Sequence, residues 1–77
     1  MDLDEKLNAT KQEASELWSE LDMLLRSMEI DFAKTLNDVR SAGRRSRKGL
    51  KLLSNRALEL RKTILALQKV SDERKKL

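Results

Sequence analysis

The side chains that could do chemistry are cations in the middle of the chain. Six bases fall within twelve residues, Arg40, Arg44, Arg45, Arg47, Lys48 and Lys51. On a helix, all of them except Arg45 follow steps of three and four residues and form one ridge. A row of guanidinium and ammonium groups can displace the counterions condensed on a polyanion such as DNA. The sequence therefore predicts an ionic binding surface.

A second row of polar positions repeats every seven residues beyond this ridge. Its members are Lys48, Asn55, Lys62, Lys69 and Lys76. If Leu50 and Leu53 face a core, this row lies in solvent along ~40 Å of helix. We recognise no helix-turn-helix or zinc finger in the sequence, so we expect contact with backbone phosphates, weak sequence selectivity and strong salt dependence.

Other chemistry lacks the residues that it needs. The 77 residues include no His and no Cys, which removes thiol nucleophiles, imidazole bases and the usual zinc ligands. Gly43 and Gly49 lack the Lys-Ser/Thr ending of a phosphate-binding loop. We expect no enzymatic activity, no catalytic residue, no metal, no cofactor and no small-molecule substrate.

Charge is divided unequally along the chain, whose net charge is +4. Residues 1–38 contain ten acids and four bases, and residues 39–77 contain thirteen bases and three acids. The asymmetry fits a polyanionic partner for the second half, and it equally fits two antiparallel helices that attract each other. Arg56 and Arg61 flank the apolar positions, where we expect them to pair with acids such as Glu13 and Glu20.

Composition and periodicity predict an all-α fold. Pro is absent, Gly occurs twice and 39% of residues are charged, a profile typical of long helices or coiled coils. Steps of four and three residues run through both halves. The first series is Leu3, Leu7, Thr10, Ala14, Leu17, Leu21, Leu24 and Met28, and the second is Val39, Gly43, Ser46, Leu50, Leu53, Ala57, Leu60, Ile64, Leu67 and Ser71.

The two series are out of phase, which favours an antiparallel helical hairpin, a coiled coil. We predict one domain over residues 1–77, with helix one at about 3–34, a turn at about 35–38 and helix two at about 38–75. Asn37 and Asp38 suit the turn, because their side chains satisfy local backbone groups and cap a following helix. A single unbroken helix with a stutter is the competing interpretation, since no Pro or Gly lies in the junction.

The apolar stripes are wider than one hairpin can cover. Burial of a large apolar side chain contributes ~1.5–3 kcal/mol, so we expect a homo-oligomer, with a dimeric four-helix bundle favoured. The predicted core and oligomer residues are Leu17, Trp18, Leu21, Leu25, Met28, Phe32, Leu50, Leu53, Leu60, Ile64 and Leu67.

The segment Ser41-Ala42-Gly43-Arg44-Arg45-Ser46-Arg47-Lys48, with the following Leu50-Lys51-Leu52-Leu53 and Leu60-Arg61-Lys62, resembles bacterial histone-like DNA-binding proteins of the chlamydial type. The similarity covers about 37–69. It implies a nucleoid-associated, DNA-compacting protein. It also implies phosphate contacts by the residues Arg44, Arg45, Arg47, Lys48, Lys51 and Lys62.

Together these observations predict a histone-like protein that binds DNA through helix two. The predicted DNA-binding residues are Arg40, Arg44, Arg45, Arg47, Lys48, Lys51, Lys62 and Lys69. The composition does not distinguish DNA from RNA. The rival hypothesis is a coiled-coil interaction module or assembly adaptor with no nucleic-acid role. We expect a cytoplasmic, nucleoid-associated protein, because no apolar run is long enough to span a membrane and the acidic N-terminus is unlike a secretory signal.

Overall fold

A computed structural model of the chain describes residues 2–76; residues 1 and 77, the ends of the predicted domain, lie outside the described residues. Three helices follow one another, α1 (Leu3–Ser27), α2 (Glu29–Leu36) and α3 (Arg40–Lys75). α1 and α2 together form a bent arm that packs against α3 along a rod of 58 × 16 × 14 Å. The all-α hairpin is confirmed, and the single unbroken helix is excluded.

α1 begins at a side-chain cap. Asp2 is extended, and its Oδ1 accepts a hydrogen bond at 2.8 Å from the backbone N–H of Glu5. The cap satisfies one of the amide groups that a helix leaves unpaired at its N-terminus. Asp4 and Glu5 in the first turn add negative charge where the helix dipole favours it.

The first arm is broken at Met28, whereas the sequence predicted one continuous helix over about 3–34. The N–H of Met28 reaches back three residues to the carbonyl of Leu25 at 3.2 Å, a tighter turn than an α-helix makes. Ser27 Oγ donates to the carbonyl of Leu24 at 2.6 Å, and such hydroxyl bonds to the preceding turn bend helices. The helical path resumes at once, because Phe32 N–H bonds to the Met28 carbonyl.

The turn between the arms is a Schellman motif. The N–H of Val39 bonds to the carbonyl of Lys34 and the N–H of Asp38 bonds to the carbonyl of Thr35. Asp38 adopts the left-handed conformation at φ 64°, which short polar side chains tolerate better than others. The expected cap on helix two is not formed, because the N-cap residue of α3 is Val39, which has no side-chain hydrogen bond.

The face of α1 and α2 that packs on α3 follows the first predicted series. Leu7 and Leu17 are buried, and the other positions from Leu3 to Met28 are half-buried. The same register continues beyond the bend at Asp31 and Thr35, although both residues are polar. Thr35 Oγ1 lies 3.2 Å from Ser46 Oγ, so the closed end of the hairpin is held partly by a hydrogen bond.

α3 presents a face that differs from the predicted one. Its buried and half-buried positions at steps of four and three are Ala42, Ser46, Gly49, Leu53, Arg56, Leu60, Thr63, Leu67 and Val70. The predicted and observed series share Ser46, Leu53, Leu60 and Leu67, whereas Val39, Leu50, Ala57 and Ile64 are exposed in the single chain.

The volumes of the side chains explain why α3 packs with a face other than the predicted one. A Cβ atom on Gly49 would lie 2.9 Å from Sδ and Cε of Met28, so the large side chain at the bend needs a residue of minimal size opposite it. Ala42, fully buried, supplies another small position near the turn. Packing of bulky residues against small ones therefore selects this face over the more hydrophobic one that carries Leu50 and Ile64.

Over residues 2–76, we find no helix that combines the length and the apolar character needed to cross a membrane.

Candidate nucleic-acid interface

The first three turns of α3 carry the densest positive charge of the molecule on the side away from α1 and α2. We call this surface the basic face; its residues are Arg40, Arg44, Arg47, Lys48 and Lys51, and all are exposed. Helical spacing puts them on three adjacent columns opposite Ala42, Ser46 and Gly49. Within residues 2–76, none of the five forms an ion pair with a carboxylate. Their charges are thus available to an external anion.

Arg45 lies apart from the basic face, although it is adjacent to Arg44 in sequence. Its Nε donates a hydrogen bond at 3.0 Å to Oδ1 of Asp31 on α2. A step of one residue turns a helix by about 100°, which moves Arg45 to the edge that meets the first arm. The charge of Arg45 is therefore already compensated within the chain.

The predicted row of lysines continues the basic face only along one edge. Lys62 and Lys69 are exposed, but the adjacent column, which carries Arg44 and Lys51 near the turn, continues with Leu58 and Leu65. Lys62 also lines a groove with a cluster of acidic residues, Glu13, Glu16, Glu20 and Glu59. The cations of α3 are accordingly most closely spaced near the turn.

Ion pairs join the two arms at several levels of the rod, and the pair of Arg56 with Glu20 lies on one of its long sides. Arg56 Nε lies 3.7 Å from Glu20 on α1, and its Nη1 lies 3.1 Å from Glu59 within α3. Arg74 and Asp4 join the open end at 2.7 Å. The predicted pairing thus holds for Arg56 with Glu20, but Arg61 has no ion pair among the described residues and extends toward solvent.

The opposite long side is apolar and exposed. We call it the apolar ledge; its residues are Trp18, Leu25, Phe32, Leu50, Ala57 and Ile64. Trp18 is 68% exposed, Phe32 59%, Leu50 54% and Ile64 44%. Two shallow grooves between the arms share Leu25 and connect all of these residues except Ile64, one with Trp18 and Ala57, the other with Phe32 and Leu50. Of the predicted core and oligomer residues, Trp18, Leu25, Phe32, Leu50 and Ile64 are thus exposed in the single chain. Leu17, Leu21, Met28, Leu53, Leu60 and Leu67 are buried or half-buried.

The cations of the basic face can bind an anion through ionic contacts. The basic face offers many N–H donors on a rigid helix, which suits phosphate oxygens. Across the part of the chain that the structure describes, no three acidic side chains converge as metal ligands would. What the side chains can do is hold an extended anion by charge.

Fold and charge together define a class, the small helical hairpins with one cationic helix face and one apolar side. Family comparison makes the assignment specific: the family described as histone H1-like protein Hc1 matches residues 15–70, and the chain belongs to this family. The resemblance found in the basic segment is confirmed and extends well into α1. The family assignment makes the chain a histone-like, DNA-binding protein of the nucleoid. Comparison with curated protein sequences and with solved structures gave no significant match.

Proposed function

We propose that the chain binds double-stranded DNA through the basic face, by contact with backbone phosphates and without strong sequence selectivity. The observation that carries this proposal is the exposure of five neighbouring cations with no carboxylate partner among residues 2–76. Arginines elsewhere in the chain form salt bridges with carboxylates. Among residues 2–76, no carboxylate forms a salt bridge with a cation of the basic face.

Geometry also supports DNA as the polyanion. The α-carbons from Arg40 to Lys51 span ~17 Å of a straight helix, and the exposed Lys62 and Lys69 extend the charged edge to ~44 Å. DNA carries about one phosphate charge per 1.7 Å of its axis, so a rod of this length meets many phosphates on either strand. A duplex tolerates this kind of contact at any sequence, because phosphates carry no base information.

Not every predicted cation takes part in the proposed contact. Arg45 is held by Asp31 and serves the hairpin. Lys62 and Lys69 add charge at the edge of the surface and contribute less than the five residues of the basic face, because the column beside them carries Leu58 and Leu65 in place of cations.

Neutralisation of the basic face tests the proposal against a matched control. The test variant carries Arg44→Gln, Arg47→Gln, Lys48→Gln and Lys51→Gln. The control carries Lys6→Gln, Lys11→Gln, Arg26→Gln and Lys34→Gln, which remove the same charge from the first arm. In fluorescence anisotropy with a short duplex, we expect the test variant to lose more than about tenfold in affinity and the control to lose less than about threefold.

Equal losses in the two variants would show that only net charge matters and would contradict the proposed surface. Unchanged affinity in both, or no binding by the native chain at low salt, would favour the rival function of a protein–protein adaptor. Circular dichroism of each variant checks that the hairpin is retained.

A further inference from the structure

Ser41 is an exposed hydroxyl inside the segment that carries the basic face. It is the second residue of α3, and Arg40, Arg44 and Arg45 lie within four positions of it. Among residues 2–76, its side chain forms no hydrogen bond, so its oxygen is available to an enzyme. Kinases select substrates partly by the charges that flank the hydroxyl, and the charges around Ser41 are positive.

Burial distinguishes Ser41 from Ser46, which directly follows two arginines and has the stronger sequence signal for such a kinase. Ser46 is 7% exposed, and its Oγ lies 3.2 Å from Oγ1 of Thr35 on α2. A phosphate on Ser46 would therefore have to fit inside the closed end of the hairpin. By contrast, Ala42 is the one buried residue in the first turn of α3, so unwinding this turn to admit Ser41 to an enzyme exposes little apolar area.

The first turn of α3 lacks the negative charge that the other two helices carry there. α1 and α2 each have two acids in the first turn, whereas α3 has none and begins with Arg40. A phosphate on Ser41 brings a charge of about −1.5 to −2 to this position at neutral pH. Both the neighbouring arginines and the helix dipole favour that charge, so we expect phosphorylation to stabilise the start of α3.

Arg44 connects Ser41 to the surface proposed to bind DNA. Three arginines of the basic face, Arg40, Arg44 and Arg47, line one groove close to the turn. Arg44 lies one helical turn after Ser41, where side chains three positions apart are neighbours. Side chains on a helix also tilt toward its N-terminus, which directs Arg44 toward a phosphate on Ser41. An ion pair between the two would remove one cation from the groove.

We propose that Ser41 is a phosphorylation site, and that its phosphate pairs with Arg44 and lowers the affinity of the basic face for DNA. In the transfer step, Ser41 Oγ attacks the γ-phosphorus of a nucleoside triphosphate held by a protein kinase. The new O–P bond forms while the bond from the γ-phosphorus to its bridging oxygen breaks. A nucleoside diphosphate leaves, and the hydroxyl proton passes to a base of the kinase. The effect on DNA rests on the proposed function, whereas the ion pair within α3 does not.

The modification site is tested by incubating the full chain with ATP and a purified serine kinase that selects serines flanked by arginines. Mass spectrometry follows the addition of one HPO3 group. We expect this addition in the native chain and in Ser46→Ala, and its absence in Ser41→Ala. A native chain that gains no phosphate, or a Ser41→Ala chain that gains one, overturns the assignment of the site.

The ion pair with Arg44 is tested without DNA, by urea unfolding of full chains synthesised with and without a phosphate on Ser41. The phosphate should raise the urea midpoint of the native chain. Arg44→Gln should reduce this gain to less than about half, because it removes the neighbour one turn away. Lys51→Gln is the matched control on the same face; Lys51 lies ~15 Å along α3 from Ser41, so the gain should persist. No gain in the native chain, or equal gains in all three backgrounds, overturns the contact.

The effect on DNA is measured by fluorescence anisotropy with a short duplex over a range of salt concentrations. A phosphate on Ser41 should lower the affinity more than about tenfold at low salt and make the salt slope shallower by about 1.8, the value for two lost phosphate contacts. A phosphate on Ser19, which is exposed on α1, adds the same charge elsewhere and should cost less than about threefold. Equal losses from the two phosphates, or no loss from the phosphate on Ser41, overturn the effect on DNA. A native chain that binds no DNA at low salt overturns the proposed function, and the urea measurement still decides the contact with Arg44.

Discussion

The guanidinium Nε of Arg45 lies 3.0 Å from Oδ1 of Asp31, across the closed end of the hairpin. Arg44, one residue earlier, is exposed and has no carboxylate partner among residues 2–76. Of these two neighbouring arginines, Arg45 therefore forms a contact within the fold, whereas Arg44 is exposed at the surface.

This separation predicts opposite effects of one substitution at two adjacent positions. Arg45→Gln removes an ion pair whose side chains are 52% and 27% exposed, so we expect a loss of about 0.5–1 kcal/mol in the free energy of unfolding and less than about twofold in DNA affinity. Arg44→Gln leaves stability unchanged and weakens DNA binding by several-fold. Urea unfolding and anisotropy on both variants measure the two effects, and a loss of affinity confined to Arg45→Gln would reverse the assignment.

The two glycines of α3 differ in what surrounds them, which predicts different outcomes for the same replacement. A Cβ on Gly43 meets only the Thr35 side chain, whose Cγ2 lies at an ordinary 3.7 Å, so Gly43→Ala stabilises by about 0.5–1 kcal/mol through helix propensity. A Cβ on Gly49 falls 2.9 Å from the end of the Met28 side chain, which has to move. We expect Gly49→Ala to gain clearly less than Gly43→Ala in urea unfolding at one fixed protein concentration. Equal gains would mean that the Met28 contact imposes no constraint.

The turn contains one residue in a conformation that favours glycine. Asp38 has φ 64°, and Asp38→Gly removes the steric cost of a side chain there, so we expect a gain of about 0.5–1 kcal/mol in the free energy of unfolding. Asn37→Gly is the control, since φ at Asn37 is −100° and its side chain bonds to the Ala33 carbonyl. That change is expected to destabilise. Destabilisation by Asp38→Gly would show that the Asp38 side chain has a role beyond the turn.

The hairpin itself was predictable from sequence, because spacing by four and three residues together with a short polar junction specifies two antiparallel helices. Which face of α3 packs inward was not. Leu50 and Ile64 are more hydrophobic than Gly49 and Thr63, so hydropathy alone selects the face that stays exposed. The size match between Met28 and Gly49 decides the question, and it is visible only when the arms are paired.

The candidate site was predictable in part for a similar reason. Helical spacing correctly groups Arg40, Arg44 and Arg47, since neighbours on one helix need no tertiary information. The role of Arg45 depends on its hydrogen bond to Asp31, which lies fourteen residues earlier in the sequence. This contact can be predicted only when the position of the turn and the register of the two arms are known. The bend at Met28 was missed because Ser27 carries no sequence signal as strong as Pro or Gly.

The slope of DNA affinity against salt tests the central claim most directly. If the five cations of the basic face replace counterions on backbone phosphates, the logarithm of the association constant falls with the logarithm of salt concentration with a slope of about −4.5. The slope should be the same for two short duplexes of unrelated sequence, and about 3.6 shallower after neutralisation of Arg44, Arg47, Lys48 and Lys51. A native slope near zero, or a slope that these substitutions leave unchanged, would contradict phosphate binding by the basic face of α3.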